Sequence, residues 1–186
     1  LFRLGLTQEQ MNGHYYGIAL GLRMTGEAGT LSPVSNAVGL LWGHTLEDES
    51  PWVGKSFMRM DDHQLQSYGP PKDAKAPGFL GINHFNRLEY KPLNSISFHV
   101  LKAWLNLSPA TEDEKNTFGY EQKGGFFVAY RARSVWEQSP REVFQLNYRI
   151  ESLNNRPPLA WLIDEMVQIA DGLYLGQLLF ATKHLM

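Results

Sequence analysis

A stretch in which two arginines and a set of large apolar residues fall on opposite sides of an extended chain places the strongest limit on what this chain can fold into. In residues 126–136, Val128 and Tyr130 fall on one side of an extended chain, whereas Arg131 and Arg133 fall on the other. A period of two residues is that of a half-buried β-strand and does not fit a helix of 3.6 residues per turn. The stretch therefore predicts a β-strand with one apolar face.

The next stretch repeats the same alternation after a predicted turn at residues 137–140. Within residues 143–151, four apolar side chains alternate with four polar ones: Phe144, Leu146, Tyr148 and Ile150 against Gln145, Asn147, Arg149 and Glu151. Two alternating stretches joined by a short turn are typical of a β-hairpin. We expect this hairpin to have a single dry face, formed by the apolar side chains of both strands.

The remaining short apolar stretches favour more strands of the same kind. The chain has 186 residues, of which 43% are hydrophobic and 19% are charged, as is usual for one globular domain with a full core. Turn-forming residues separate the apolar stretches. We therefore predict a mainly β protein, a single domain over residues 1–186 whose antiparallel sheet forms a barrel or half-barrel. Further strands are expected at Gly13–Met24, Ala37–Trp42, Trp52–Met60 and within Phe79–Pro92.

The most apolar part of the chain lies near its C-terminus. From Leu159 to Ala170, apolar residues recur at helical spacing. Gly172 ends this pattern, and Leu173–Phe180 is too short for a second independent helix, so it predicts a buried strand. We expect a C-terminal amphipathic helix over residues 159–170 that braces the barrel, followed by a strand that helps to close it.

Composition excludes several classes of function. The net charge of −2, without a long basic run, argues against strong nucleic-acid binding. The absence of cysteine excludes disulfides, thiolate metal sites and cysteine nucleophiles. The best candidate for a membrane span, Trp161–Phe180, is interrupted by four polar residues and therefore predicts no span. No pattern identifies a cofactor or a cellular compartment.

Two short motifs resemble those of a known group of proteins. The first is a glycine–aromatic–glycine strand around Gly13, Tyr15 and Gly17, and the second is Trp52-x-Gly54-Lys-x-Phe. In this order they resemble the N-terminal part of the lipocalin-like domains of the GXWXG type. Tyr15 stands where that pattern has a tryptophan, and Ser50 stands where it has a glycine.

Later residues resemble the second segment of the same group. Arg131 and Arg133 match its basic strand, Ile163-Asp164 its Ile-Asp pair, and Leu175-Gly176 the end of its last apolar strand. The resemblance implies a lipocalin-like barrel that holds a ligand, without implying a catalytic residue.

Histidines and serines give little support for catalysis or metal binding. The six histidines, His14, His44, His63, His84, His99 and His184, show none of the local spacings typical of metal sites. Ser56 lies outside a Gly-x-Ser-x-Gly motif and outside a phosphate-binding loop. Each histidine is therefore expected at a structural or surface position, with His14 and then His99 as the first exceptions to test.

Asp164 and Glu165 allow two interpretations. On the predicted helix they point about 100° apart, which does not suit a catalytic pair. The simpler interpretation is a solvated helix face. The alternative is that one carboxylate turns inward and pairs with Arg131, Arg133 or Arg149, where it stabilises the fold or holds a polar ligand group.

The aromatic residues make up 12% of the chain and also leave two interpretations open. They can pack against one another as a solid core, or they can line a cavity for an apolar ligand. The core interpretation is favoured for the set Tyr15, Trp52, Tyr130, Phe144, Tyr148 and Trp161.

We predict that the protein binds a small apolar or amphipathic molecule without catalysing a reaction. The expected ligand contacts are Tyr15, Trp52, Tyr130 and Tyr148, with Arg131 or Arg133 anchoring an acidic headgroup. One alternative is an accessory subunit with a solid barrel that docks on another protein or on a second copy. A further alternative is an enzyme that uses a barrel histidine, for which His14 is the first candidate.

Overall fold

The computed structural model describes residues 1–8, 10–20, 50–69, 74–86, 99, 102–136, 141–157 and 159–180. Several predicted features lie wholly or partly outside these ranges: residues 21–24 of the strand at Gly13–Met24, the strand at Ala37–Trp42, the part of Phe79–Pro92 after residue 86, the turn at residues 137–140, and the histidines His44 and His184.

Eight strands and a few short helices make up the described chain. The strands are β1 (Gly13–Tyr16), β2 (Trp52–Arg59), β3 (Lys75–Phe85), β4 (Ser108–Pro109), β5 (Gln122–Arg133), β6 (Glu142–Asn147), β7 (Leu162–Ala170) and β8 (Leu173–Phe180). The helices are α1 (Asp62–Tyr68), α2 (Glu112–Phe118) and 3-10 turns at Phe2–Leu4, Glu151–Leu153 and Leu159–Trp161.

The strands belong to one sheet with the order β1-β2-β3-β5-β6-β7-β8, and β4 pairs with β5 outside this path. The sheet is antiparallel and curls into a half-barrel, in which seven strands turn through 231°. The prediction of a mainly β chain with a half-barrel sheet is therefore confirmed.

The predicted C-terminal helix is wrong. Residues 162–170 form β7, which pairs antiparallel with β8 over nearly its whole length. The two strands are joined by Asp171-Gly172, in which Gly172 has a φ of 66°. An Asp-Gly pair between apolar stretches is a strong signal for a two-residue hairpin turn, whose backbone needs positive φ. Gly172 thus turns a hairpin rather than ending a helix.

The strand at Leu173–Phe180 is confirmed, but its predicted burial is not. β8 stands at one end of the strand order, and Leu173 and Leu178 are 54% and 42% exposed.

The prediction of a single dry face on the hairpin of β5 and β6 is also wrong. The register pairs Tyr130 with Gln145 and Arg131 with Phe144. Directly paired residues of antiparallel strands lie on the same face. The apolar side of β5 therefore joins the polar side of β6, and the sheet buries both faces here.

One of these faces carries an aromatic core. Phe57 packs on Phe127 and Phe144, with ring centroids 5.4 and 6.0 Å apart. Phe79 packs on Phe144 at 5.8 Å. All four rings are at most 3% exposed. We call this side of β5 and β6, which also carries Arg131, the phenylalanine face.

The opposite side, which we call the Tyr130 face, carries Val128, Tyr130 and Ala132 packed with Met60. Partly buried side chains of α1, of β3 and of the segment after β6 pack against this cluster: Leu65, Tyr68, Ala74, Leu80, Ile150 and Leu153. This second layer explains how β5 and β6 can be buried on both sides.

Both α-helices begin at a capping box. Asp61 caps α1 together with Gln64, and Thr111 caps α2 together with Glu114. The charged residues Glu112–Lys115 lie in the first turn and a half of α2. The signal for this helix was the Thr-x-x-Glu spacing at its start.

The chain divides into two units. Leu1–His14, Ser56–Ile82 and Gly125–Met186 form the first unit, which contains both faces described above. Tyr15–Lys55 and Asn83–Gly124 form the second unit. Its buried residues include Phe85, Leu105, Leu107, Ala110 and Tyr120.

The N-terminal segment attaches to β6 and β7 within the first unit. Leu6 and Gln168 exchange two backbone hydrogen bonds of 2.8 Å. Arg141 donates hydrogen bonds to the carbonyl oxygens of Phe2 and Gly5. The Thr7 hydroxyl donates to the Glu142 carbonyl oxygen, 2.5 Å away.

Candidate ligand-binding cleft

A cleft of about 490 Å³ lies in the first unit, lined by Lys75, Ala132, Arg133 and Glu142. β3 begins at Lys75, β5 ends at Arg133, and β6 begins at Glu142. The cleft therefore lies where three strand ends meet. Its volume is within the range of small-molecule sites in proteins.

The charged residues of the cleft share the phenylalanine face. Arg133 and Glu142 are paired across β5 and β6, two residues along from the pair Arg131 and Phe144. Lys75 lies an even number of residues from Phe79, so strand alternation places both on the same side. On this face, β3 carries Phe79, β5 carries Arg131 and β6 carries Phe144 in its inner part. The cleft end of each strand carries a charged residue.

The charges of the cleft are unequally partnered. The Lys75 ammonium forms an ion pair with the Glu142 carboxylate, and their side chains are 55% and 38% exposed. Arg133 is exposed and, among the residues that the structure describes, has no ion pair or side-chain hydrogen bond. A guanidinium carries five N–H donors in a planar fork that suits a carboxylate or phosphate group.

Glu165 holds the chain immediately after Arg133. Its carboxylate accepts hydrogen bonds from the Ser134 hydroxyl at 2.8 Å, the Val135 backbone N–H at 2.6 Å and the Gln177 amide at 3.1 Å. Glu165 is fully buried. Its three bonds fix the end of β5 to β7 and β8, and so fix the backbone that carries Arg133.

Asp164 points to the opposite side of β7. It is 7% exposed and accepts a hydrogen bond of 3.0 Å from the Tyr148 hydroxyl. The interpretation of Asp164 and Glu165 as a solvated helix face is therefore wrong. They are buried on opposite faces because neighbouring residues of a strand point in opposite directions.

The structure separates the ligand contacts predicted in the first unit. Arg131, Arg133 and Tyr148 share the phenylalanine face, where Tyr148 packs edge-on against Phe127 at 5.3 Å. Tyr130 lies on the other face and is 1% exposed.

The Tyr130 hydroxyl belongs to a buried hydrogen-bond network. It donates to Gln145 at 3.2 Å and accepts from the Asn147 amide at 2.7 Å. Buried polar groups need such partners, so this network explains why two amide side chains can be buried beside Tyr130.

The other two predicted ligand contacts, Tyr15 and Trp52, belong to the second unit. The Trp52 indole donates to Asn83 at 3.1 Å, and the Lys55 ammonium reaches the same oxygen at 2.5 Å. Gly54 has a φ of 153°, and a Cβ there would lie 2.2 Å from the Tyr15 carbonyl oxygen. Glycine is therefore required where β2 passes Tyr15.

The second unit also contains a cluster that sequence reasoning missed. The His84 ring is fully buried and stacks on Tyr120 with centroids 3.8 Å apart. Burial raises the pKa of Tyr120, as does its hydrogen bond to Glu114. Burial would raise the pKa of Glu114, but hydrogen bonds, first from Lys123, lower it to about 2.

His14 lies beside a serine in the first unit. Its Nδ1 is 3.4 Å from the Ser56 hydroxyl oxygen, a long distance for a hydrogen bond. Burial lowers the pKa of His14, which favours its neutral form.

Within the described ranges, no group of three His, Asp or Glu side chains could hold a metal ion. Nor does any helix there have the length and apolar character that crossing a membrane requires.

Lys75 and Glu142 were not recognised from the sequence as site residues. Glu142 continues the alternation of Phe144 and Leu146, so it could have been placed on the apolar side of β6. Lys75 offered no such signal, because it precedes the predicted strand at Phe79–Pro92.

Comparisons of this chain with protein-family models, with curated proteins and with solved structures find no match.

Proposed function

We propose that this protein binds a small amphipathic molecule with a negatively charged end, and that Arg133 receives the charge. The observation that carries this proposal is an exposed guanidinium without a side-chain partner in the described chain, at the edge of a cleft of about 490 Å³. Glu165 supports the same role because it fixes the backbone next to Arg133 through Ser134 and Val135.

The apolar part of the ligand lies against the hydrocarbon stems of Lys75 and Arg133. Long basic side chains commonly cover apolar surface with their methylene groups while the charge stays in water. Burial of apolar area contributes about 25 cal/mol per Å² before the costs of association. The charge-assisted hydrogen bonds of Arg133 supply orientation as well as affinity.

A ligand-holding role is also what the resemblance to GXWXG-type lipocalin-like domains implies. Binding at Arg133 does not require contacts from Tyr15, Trp52, Tyr130 or Tyr148. Their roles in ligand binding stay predictions.

Calorimetric titration with sodium octanoate tests the proposal. Loss of a hydrogen bond to a charged group costs about 1.5–3 kcal/mol, so Arg133→Gln should weaken binding at least ten-fold. Arg59→Gln is the matched control, because Arg59 is also an exposed arginine of the first unit and lies on β2. No binding by the wild type, or equal binding by Arg133→Gln, would contradict the proposal.

A second candidate is a docking role for β8. This strand ends the strand order of the described sheet and exposes Leu173 and Leu178. Exposed strand edges can add a strand from another chain. Docking of a second copy predicts self-association that rises with concentration and is lost in Leu178→Lys. A wild-type protein that stays monomeric in light scattering at all concentrations would argue against this candidate.

A further inference from the structure

We propose that Glu142 makes the cleft selective for ligands with one negative charge over ligands with two. This inference rests on the proposed function and names the class of ligand. Glu142 shifts the cleft away from phosphate monoesters and towards amphipathic monoanions, such as a carboxylate or a sulfate ester.

The position of Glu142 relative to both cations carries the inference. Glu142 is ion-paired with Lys75 and lies directly across the strand pair from Arg133. These three residues are the charged lining of the cleft, which therefore has a net single positive charge. A ligand with two negative charges is still attracted by this net positive charge, but the Glu142 carboxylate repels it about twice as strongly as it repels a ligand with one.

Glu142 and Arg133 are both held in place by the backbone around them. The carbonyl oxygen of Glu142 accepts the Thr7 hydroxyl, and the neighbouring Arg141 is bonded to the N-terminal segment. The residues that follow Arg133 are bonded to Glu165. The spacing between the guanidinium site and the carboxylate is therefore a built feature of β5 and β6.

The size of the effect follows from Coulomb's law. Two like charges about 4 Å apart repel by an amount worth several-fold in affinity in bulk water and up to about a thousand-fold near a protein surface. The Glu142 side chain is 38% exposed, so we expect a value of about ten-fold, near the lower limit. Glu142 should therefore weaken dianion binding by about this factor relative to monoanion binding.

Octyl sulfate and octyl phosphate form a matched pair of probes. They share the same chain and a tetrahedral head, but the phosphate carries nearly two charges at about pH 8, since its second pKa is about 6. Calorimetric titration below the micelle concentration gives both dissociation constants. We expect the affinity of octyl sulfate relative to octyl phosphate to be about ten-fold higher in the wild type than in a variant without the Glu142 charge.

Substitutions at Glu142 identify the cause of this preference. Glu142→Gln also releases Lys75 and should strengthen the binding of both probes, so the ratio of their affinities is the informative quantity. The ratio of octyl sulfate affinity to octyl phosphate affinity should fall about ten-fold in Glu142→Gln and stay near the wild-type value in Glu142→Asp. Glu151→Gln, at an exposed position of the first unit, should leave the ratio unchanged and serves as the control.

Each outcome separates the inference from the function on which it rests. An unchanged ratio in Glu142→Gln would overturn the selectivity while octyl sulfate binding still supports the cleft. Binding of neither probe by the wild type would contradict the proposed function and this inference together. Urea unfolding of each variant confirms that it is folded during the titration.

Discussion

The inner part and the outer end of the phenylalanine face are built from the same three strands and have opposite character. Phe79 and Phe144 lie inside, where they are at most 1% exposed. Lys75, Arg133 and Glu142 lie at the strand ends, where their side chains reach solvent. The comparison shows that the face of a strand does not alone decide the role of a residue. Distance from the strand end decides whether the same side packs a core or offers charge to a ligand.

The two regions should also differ in how they contribute to folding. Close-packed interiors lose stability when a side chain is shortened, because the cavity does not fully collapse. Exposed ion pairs contribute little, because water screens them. Substitution in the core should therefore affect stability, and substitution in the cleft should affect binding.

The largest expected effect is that of Phe144→Ala. Phe144 is fully buried and contacts two other rings, so its loss should lower the free energy of unfolding by about 3–5 kcal/mol. Phe126→Ala is the control, because Phe126 is 43% exposed and should cost far less. Urea unfolding measures both. Equal losses of unfolding free energy in the two variants would contradict the assignment of Phe144 to the core and Phe126 to the surface.

The next effect concerns the buried carboxylate that supports the cleft. Glu165→Gln keeps the shape of the side chain but turns one acceptor into a donor that faces the Gln177 amide. A mismatched buried polar group costs about 1–3 kcal/mol in the free energy of unfolding. Exchange of the two residues, Glu165→Gln with Gln177→Glu, restores a donor opposite an acceptor and should recover part of the loss. No recovery in the double variant would argue against this pairing.

A smaller effect is expected for the charged lining of the cleft. Lys75→Met removes an ion pair whose partners are both more than a third exposed, so the free energy of unfolding should change by less than about 1 kcal/mol. The same urea measurement checks it. A loss as large as that of Phe144→Ala would mean that the ion pair is part of the core.

The smallest effect is a pH dependence in the second unit. The pKa of Glu114 is lowered from its ordinary value of 4.5 to about 2, so the folded protein favours the ionised form. Its contribution is fully present above pH 4.5 and is lost as the pH falls towards 2. The difference in unfolding free energy between wild type and Glu114→Gln should shrink over this interval. Lys123→Met removes the hydrogen bond from Lys123 to Glu114, so the effect of Glu114→Gln on the unfolding free energy should be smaller in a Lys123→Met background. An effect of Glu114→Gln that does not vary with pH would contradict the assignment.

Sequence reasoning recovered the strands whose alternation is local. β2, β5, β6 and β8 all lie within or close to their predicted bounds. Alternation reports which residues share a side, but the pairing of strands decides which sides come together. The sequence of the hairpin did not reveal that Tyr130 faces Gln145, so the second buried face was missed.

The C-terminal segment shows how a period can mislead. Its apolar residues fit helical spacing, yet residues 162–165 are buried on both faces of a strand. Asp164 and Glu165 look solvent-exposed on a helix, whereas the strand buries them because Tyr148 and Ser134 supply donors from distant positions. The Asp171-Gly172 pair was the local signal that could have identified the hairpin.

The candidate site was only partly accessible to sequence reasoning. Arg133 was predicted as a headgroup anchor because of its place in the alternating strand. Lys75 and Glu142 join it through tertiary contacts, which span 67 residues for that ion pair. Partners brought together over such distances leave no pattern in a single sequence.

The attachment of the N-terminal segment has a consequence for the order in which the chain can fold. Leu6 pairs with Gln168, and the bond from Thr7 to Glu142 spans 135 residues. During synthesis, these contacts cannot form until β7 has left the ribosome. Closing such a long loop carries a high entropic cost and is repaid only once β6 and β7 are already paired. Residues 1–8 are therefore made before the strands with which they pair, and they are expected to reach their native contacts only after β6 and β7 have formed.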